Sequence, residues 1–352
     1  MKKDKITGNK IFVHDYMGGW LDRGIPLYTR NLIKTLRGCN FNVVTISASG
    51  LQRKWPRWIN HVLGAITEQI ISPVMWRLRG ASVAVYPYNS MPLLDIFSQR
   101  TLIVIHDVMA FKFNTKQYTR YYYSLIYYFL KKARKPIYTV SSLEVERLKN
   151  FGFVDNQIGV LPNSFAGFCD SLVTLENKYG DIADEGKKND LKILLCSGRG
   201  RQKNLPWVWK NLLPLAIGKF QAIEVLGLAG NRSQDYEWLG VDSIEQNVKI
   251  LPGLSDLQVA ETYYFTDIVW LHSLEEGFGR CLVEGRFAGK RIVCNDIPEF
   301  RALADESVFF YKDENDFTDA VDRALASPKP ASYKKYGYAE MILSVLNSLN
   351  KQ

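Results

Sequence analysis

The stretch Leu271–Phe300, LHSLEEGFGRCLVEGRFAGKRIVCNDIPEF, constrains the fold more than any other part of the chain. An apolar run from Asp267 to Leu271 is followed by a turn, Glu276-Gly277-Phe278-Gly279. A helical pattern from Arg280 to Ala288 and a second apolar run from Arg291 to Asn295 come next. That order predicts a strand, loop, helix, strand unit. Glycines at a strand-to-helix turn let backbone N–H groups approach an anion at the helix N-terminus, where the helix dipole favours negative charge. A phosphate could sit at this turn.

Glu276 and Glu284 stand eight residues apart. On one continuous helix they would lie about 12 Å apart and about 80° out of phase. Two carboxylates so placed cannot flank a single glycosidic oxygen, which a hydrolase dyad requires. Two separate contacts to one long ligand with a phosphate between them fit better, and a nucleotide sugar has that form. The competing reading is a surface turn followed by a solvated helix face.

The length of 352 residues suggests two domains. With 47% hydrophobic and 23% charged residues, both can build a core. Five cysteines, Cys39, Cys169, Cys196, Cys281 and Cys294, occur without a CxxC or Cys/His ligand spacing, which suits a reduced cytosolic protein without structural zinc. The four histidines are scattered and no D-x-D pair offers oxygen ligands to a phosphate-bound divalent ion, so no metal is expected. The basic start runs into a strand-like segment, unlike a signal peptide. The nearest approach to a membrane span, Ile59 to Trp76, is broken by Asn60, His61, Glu68, Gln69 and Pro73.

Charge is unevenly distributed. Residues 1–165 hold 23 Lys/Arg and 9 Asp/Glu, a balance of +14, whereas 166–352 hold 22 and 27, a balance of −5, and the two add to the net +9. A basic first half suggests a polyanion or an anionic membrane surface as its partner. Nucleic acid is disfavoured, because no nucleic-acid-binding motif accompanies the charge.

In chain order, Ile11-Phe12-Val13-His14 reads as a first strand, and the following Gly18-Gly19 places backbone amides near a ligand. A helix runs from Gly24 to about Leu36. Strands at Asn42–Ser47, Ser82–Tyr86, Thr101–Ile105 and Pro136–Val140 alternate with helical stretches, indicating a parallel sheet covered on both faces. Between them, Arg53 to Arg79 reads as a helix with Ile59, Val62, Leu63, Ile66 and Ile70 on one face, flanked by tryptophans and basic residues. Such a helix either rests on anionic lipid or packs on the domain's own core. Gln117 to Lys135 is similar, tyrosine-rich with a basic end. His106 directly follows a strand, at the carboxyl end of the sheet, where ligands of open α/β folds bind. It could contact a sugar hydroxyl, serve as a local acid/base group or be held by a loop carbonyl. Ser141 and Ser142 are explained by capping of the helix after them.

Phe165 to Asp190 has few apolar residues and no clear period, so the domain boundary is expected there. A strand from Leu191 to Cys196 opens onto Ser197-Gly198-Arg199-Gly200-Arg201-Gln202-Lys203-Asn204 and then a helix from Leu205 to Ala216. Glycine, arginine and lysine at this place form a cationic phosphate cradle, with Gly198 in the donor-binding loop and Arg199 and Lys203 assigned to a diphosphate. A solvated turn is the alternative. Strands at Ala222–Leu226 and Val248–Leu251 follow, the second leading into Pro252-Gly253-Leu254-Ser255, where Gly253 and Leu254 could pack against a planar base.

Taken in order, Gly18-Gly19, His106-Asp107, Ser141, Leu161-Pro162-Asn163, Gly198-Arg199 with Lys203-Asn204, Gly253 with Ser255-Asp256, and Ser273 to Glu284 resemble glycosyltransferase family 4, the retaining GT-B enzymes. Glu276 and Glu284 match the E-x7-E element of that family, and Asn295-Asp296-Ile297-Pro298 its continuation. The resemblance runs from about residue 11 to 325. It implies an α/β chain of two Rossmann-like domains facing a cleft. The expected divisions are an acceptor-binding domain over 1–165, a linker over 166–190, a nucleotide-sugar domain over 191–329 and a C-terminal helix over 330–352 that returns to the first domain. By matching positions, Glu284 would bind ribose hydroxyls and Arg199 and Lys203 the diphosphate. Backbone amides around Phe278 to Arg280, with Gly277 and Gly279 in the turn, would touch the phosphate or sugar, Glu276 would hold the donor sugar's hydroxyls, and His106 would lie near the reacting sugar. The chain departs from the family at Arg280-Cys281, where a small or apolar residue and proline are usual, and at Gly285-Arg286, where Ala-Met is usual.

The expected function is a metal-independent, cofactor-free transfer of a hexosyl or deoxyhexosyl group with retention, from a nucleoside-diphosphate sugar to a glycan or lipid-linked acceptor. The setting expected is bacterial surface polysaccharide synthesis, including lipopolysaccharide, by a cytoplasmic protein peripheral at the inner face of the membrane. The alternative is a catalytically silent GT-B scaffold that binds a glycan or a partner enzyme. A sugar phosphorylase is a third, less suited to so short a chain.

Overall fold

A computed structural model describes residues 10–16, 24–46, 57–108, 111, 117–180, 191–228, 232–241, 243–332 and 338–350. Gly18 and Gly19 lie outside the described residues, as do Arg53, Lys54 and Trp55. The chain forms two compact units, Met1–Ser164 with Tyr336–Gln352, and Phe165–Lys335.

The first unit is built on six strands, β1 (Lys10–His14), β2 (Asn42–Ile46), β3 (Val83–Tyr86), β4 (Thr101–Ile105), β5 (Ile137–Thr139) and β6 (Ile158–Val160). They lie in the order β2-β1-β3-β4-β5-β6, every pair parallel. Near-continuous apolar runs suit strands covered on both faces, and Phe12, Val85, Ile103 and Ile105 are fully buried. Between β1 and β2 runs α1 (Ile25–Gly38), with Pro26 in its first turn, where a missing N–H costs nothing. After β2 come α2 (Arg57–Ile66), a π-helical turn (Thr67–Ile71) and α3 (Ser72–Leu78). In the π turn the Ser72 N–H donates to the Thr67 carbonyl five residues back. The wider turn carries the helix past Pro73, which has no N–H to give.

The helix packs on its own unit, but not by its apolar face. Its polar face is the buried one, with Glu68, Ser72 and Trp76 against the unit, while Val62, Leu63, Ile66 and Ile70 are exposed. Beyond it lie α4 (Gln117–Lys132) and α5 (Ser142–Asn150), the latter capped by Ser141, whose Oγ accepts from the Glu144 N–H at 3.2 Å.

The second unit opens on α6 (Ala166–Tyr179), in the segment expected as linker. Phe168, Leu172 and Leu175 are its buried residues, spaced four and three apart on one helical face, so the segment has a period that its polar composition hides. Only 181–190 of the expected linker lie outside the described residues. The sheet comprises β7 (Lys192–Cys196), β8 (Ala222–Leu226), β9 (Val248–Leu251), β10 (Ile268–Leu271), β11 (Arg291–Asn295) and β12 (Val308–Tyr311). Its order is β12-β11-β10-β7-β8-β9, again all parallel.

The expected helix Leu205–Ala216 is two helices, α7 (Leu205–Asn211) and α8 (Leu213–Ile217). Pro214 cannot continue the hydrogen-bond ladder, so the chain restarts with proline in the first turn of α8. The remaining helices are α9 (Arg232–Leu239), α10 (Asp256–Tyr264), α11 (Arg280–Phe287), α12 (Pro298–Arg301), α13 (Glu314–Ala326) and α14 (Tyr338–Asn350). The last belongs to the first unit, and buries Tyr338, Ile342 and Leu346 there.

Candidate functional site

In the second sheet the chain leaves β7 for β8 on one side, and β10 lies on the other. The boundary between β7 and β10 is thus the point where the strand order reverses. In open α/β sheets ligands bind outside the carboxyl ends of the strands at that point. Two loops meet there, 197–204 after β7 and 272–279 after β10.

Their meeting is fixed by backbone. The Gln202 carbonyl accepts from the Leu274 N–H at 2.6 Å and from Ser273 Oγ at 3.0 Å. Asn295, at the end of β11, clamps Ser273 from the other side: Oδ1 accepts from its N–H at 2.9 Å and Nδ2 donates to its carbonyl at 2.8 Å. Farther on, the Glu276 N–H donates to Glu299 Oε1 at 3.3 Å. The close approach continues toward β8, where Gly227 has φ of 102° and an added Cβ would sit 2.0 Å from the Ser197 carbonyl oxygen. Only glycine fits there.

Across the clamped loops Lys203 Nζ pairs with the Glu276 carboxylate. Burial alone would weaken the ammonium, but the Glu276 carboxylate and the nearby Cys281 outweigh it and hold the Lys203 pKa above the ordinary lysine value. Arg199 donates from Nε at 3.0 Å and from Nη2 to one oxygen of Asp235, a fully buried residue of α9. The other oxygen of that carboxylate, Oδ2, is buried without a hydrogen-bond partner among the described residues.

Glu284, on α11, is buried, with Oε2 accepting from the Tyr263 hydroxyl and Oε1 from Arg280 Nη2, both at 3.0 Å. Arg280 also lies 4.7 Å over the Phe165 ring, and Tyr263 continues the chain of contacts to Cys196 Sγ at 3.1 Å. The helix that carries Glu284 starts from Gly279 in the left-handed region, φ 80°. Beneath Lys203 sits His272, stacked on Trp207 at 5.1 Å and bonded through Nδ1 to the Tyr311 hydroxyl at 2.8 Å. Burial, and then the Lys203 charge, lower its pKa to about 4, so the ring is neutral at pH 7.

The structure therefore brings Lys203 and Glu276 together and gives Arg199 and Glu284 polar partners of their own. Glu276 pairs with Lys203, and Glu284 is held by Tyr263 and Arg280. Gly253, φ 59°, and Leu254 follow β9, the edge strand two positions from β7. His106 belongs to the first unit. Its Nε2 lies 3.0 Å from the Pro87 carbonyl, which can only accept, so that nitrogen carries the proton, and the Tyr28 ring meets it edge-on at 4.5 Å. The loop-carbonyl reading is thus realised for Nε2.

The first sheet has its own reversal between β1 and β3. Tyr88 donates to Asp15 Oδ1 there at 2.9 Å, and burial raises the Asp15 pKa despite Tyr88 and Arg30. Sequence reasoning missed Asp235, Tyr263 and Glu299. Each lies far along the chain from the residue it holds, and no local pattern marks such a partner. No group of His, Cys, Asp and Glu arranged to hold a metal occurs among the described residues.

Residues 191–327 match the family model described as glycosyl transferases group 1. No curated protein matches the sequence. Among solved structures the chain is similar to HepE from Anabaena in complex with UDP and glucose, with 16% identity, 98% of each chain covered and a TM-score of 0.62. It is similar also to sucrose-phosphate synthase from Thermosynechococcus elongatus, at 14% identity, 97% and 99% coverage and a TM-score of 0.68. A third likeness is to UDP-GlcNAc 2-epimerase from Methanocaldococcus jannaschii, at 10% identity, 97% and 100% coverage and a TM-score of 0.59. The chain has the GT-B fold, and the residues of the unit that carries the clamped loops are those that resemble the glycosyl transferases group 1 family.

Proposed function

We propose that the protein transfers a sugar from a nucleoside-diphosphate sugar to a glycan or lipid-linked acceptor, with retention of configuration. The observation that carries this reading is the Lys203–Glu276 pair, held across two clamped loops at the reversal point of the sheet. A cation and a carboxylate so placed match the two ends of the bond to be broken, diphosphate on one side and sugar hydroxyls on the other. The group 1 family model over the same residues, and the UDP and glucose held by HepE, support a sugar nucleotide as donor.

In the proposed reaction Lys203 turns from Glu276 to the diphosphate and stabilises the charge that develops there, the kind of electrostatic contribution that dominates many transfers. Glu276, released, accepts hydrogen bonds from the donor sugar. Arg199 adds a second positive charge from its seat on Asp235, and Glu284 reaches the ribose. The acceptor hydroxyl attacks the anomeric carbon on the face the diphosphate leaves. The bond from that carbon to the phosphate oxygen breaks, and a diphosphate oxygen takes the hydroxyl proton. This route needs neither a carboxylate nucleophile nor a metal.

The basic first unit is assigned to the acceptor, in the synthesis of a bacterial surface polysaccharide by a peripheral protein at the cytoplasmic face of the membrane. Incubation with a panel of nucleotide sugars and lipid-linked acceptors, read as released nucleoside diphosphate and as product configuration by NMR, tests the whole reading. Transfer with the anomeric configuration kept supports it; an inverted product overturns the retaining route. A 2-epimerised nucleotide sugar formed without any acceptor would replace transfer with the chemistry named for the Methanocaldococcus protein.

A further inference from the structure

We propose that the outward faces of α2, α3 and α4 form one docking surface for an anionic phospholipid bilayer. The inference deepens the reading of a membrane-borne acceptor and rests on it. It begins from the inverted helix at 57–78. Val62, Ile66, Ile70, Val74 and Leu78 recur every four residues along its outer side, and Leu63 and Ile71 widen the stripe. Ile70 is 61% exposed, Val74 51% and Leu78 78%. By the rise of a helix the stripe is about 24 Å long. Single exposed apolar residues need no explanation, but a contiguous run of this length marks an interaction site.

Two other segments extend it. On α4, Tyr121, Leu125 and Tyr128 are exposed at spacings of four and three. Leu94 and Phe97, each 73% exposed, stand on the connection after β3. Hydrogen bonds hold the three segments side by side. The Tyr122 hydroxyl donates to the Glu68 carboxylate at 2.5 Å, joining α4 to the π turn. Gln69 donates to the Met91 carbonyl at 3.2 Å and accepts from the Leu93 N–H at 3.0 Å, joining the π turn to the connection that carries Leu94. Asp95 grips Trp76 at 2.9 Å and Arg77 at 2.6 Å, which fixes the end of α3 beside Phe97.

Charge selects the occupant. The sequence has no acid between Glu68 and Asp95, nor between Asp107 and Glu144, and the second interval holds seven cations. Glu68, Asp95 and Lys135 are buried, so the described residues of these segments show solvent cations and apolar groups without carboxylates. Arg79, Arg120 and Lys132 are among the exposed cations at their ends. A second copy of the same surface would meet like charge. Interfacial helices that lie on anionic lipid combine this apolar stripe with flanking Lys and Arg, and tyrosine suits the headgroup level.

The test is flotation of the full chain with vesicles of phosphatidylcholine alone and of phosphatidylcholine with phosphatidylglycerol. Binding to the second and at least about tenfold weaker binding to the first is expected. The triple change Ile70→Glu, Val74→Glu and Leu78→Glu should abolish flotation, and Arg79→Glu with Lys132→Glu should weaken it while leaving the apolar stripe intact. Both variants keep the buried face and should melt with the wild-type protein. Failure of the wild-type protein to float, or flotation of the triple variant like wild type, overturns the proposal. So does a lipid-free dimer in sedimentation that the triple variant dissociates, since a second copy would then be the occupant. Sugar-nucleotide binding by calorimetry, run on the same variants, separates the two readings: lost flotation with retained binding concerns the surface alone, and absent binding in all of them concerns the donor site.

Discussion

At the residue scale, the Lys203–Glu276 pair has a consequence for affinity. Lys203 and Glu276 are paired, so under the proposed reading a nucleoside diphosphate would have to break that pair without supplying Glu276 with the sugar hydroxyls that would replace Lys203. A complete sugar nucleotide replaces both contacts. Glu276→Gln should therefore bind nucleoside diphosphate several-fold more tightly than wild type, while turnover falls about 10²-fold because the sugar is no longer gripped. Calorimetry with nucleoside diphosphate and initial-rate measurements with the sugar nucleotide read the two effects. Weaker nucleoside diphosphate binding in this variant would show that Glu276 helps bind the diphosphate instead of competing with it.

His272 and His14 govern a second residue-scale effect. Both are buried and neutral, with pKa values lowered by burial to about 4 and about 3. Below the ordinary value of 6.5 the unfolded chain takes up a proton at each site that the folded chain refuses. Stability therefore falls as pH falls, by about 1.4 kcal/mol per pH unit for each histidine until its folded pKa is reached. Denaturant midpoints between pH 7 and pH 4.5 should decline less steeply for His272→Phe than for the wild-type protein. Equal slopes would place the His272 pKa near its ordinary value.

At the scale of elements, α6 supports the site indirectly. The Phe168 ring meets Tyr263 edge-on at 5.3 Å, and Tyr263 holds Glu284. Phe168→Ala should cost about 3 kcal/mol of stability, the usual cost of truncating a buried aromatic ring. It should also weaken donor binding through the loosened Tyr263, whereas an effect on stability alone would detach α6 from the site. This element is also where the sequence was least legible. Phe168, Leu172 and Leu175 are three apolar anchors among polar neighbours, and the polar composition concealed their helical spacing.

The strands were legible because parallel strands buried on both faces read as short apolar runs, and β7 and β10 with their glycine-bearing loops could be found from such runs alone. What escaped was long-range. Asp235 beneath Arg199, Tyr263 beneath Glu284 and Glu299 beneath the Glu276 amide each act across twenty or more residues. The face of the 59–70 helix could be identified but not oriented, since an apolar stripe looks the same whether it turns inward or outward. Here burial of Glu68 decided it, with Ser90 donating at 2.6 Å and Tyr122 at 2.5 Å.

At the scale of the molecule, the two units have separate cores and distinct charge, and the C-terminal helix joins the first after the chain has completed the second. In the proposed reading the donor belongs to residues 165–335, the unit that holds the clamped loops, and the basic unit is left for the acceptor. The account stands or falls on the lysine between the clamped loops. Release of nucleoside diphosphate from the preferred sugar nucleotide, in the presence of acceptor, should fall by about 10²- to 10³-fold in Lys203→Ala, as when a group that stabilises charge in the transition state is removed. Near-normal release by Lys203→Ala, with its fold intact, would contradict the assignment of this site to the departing diphosphate.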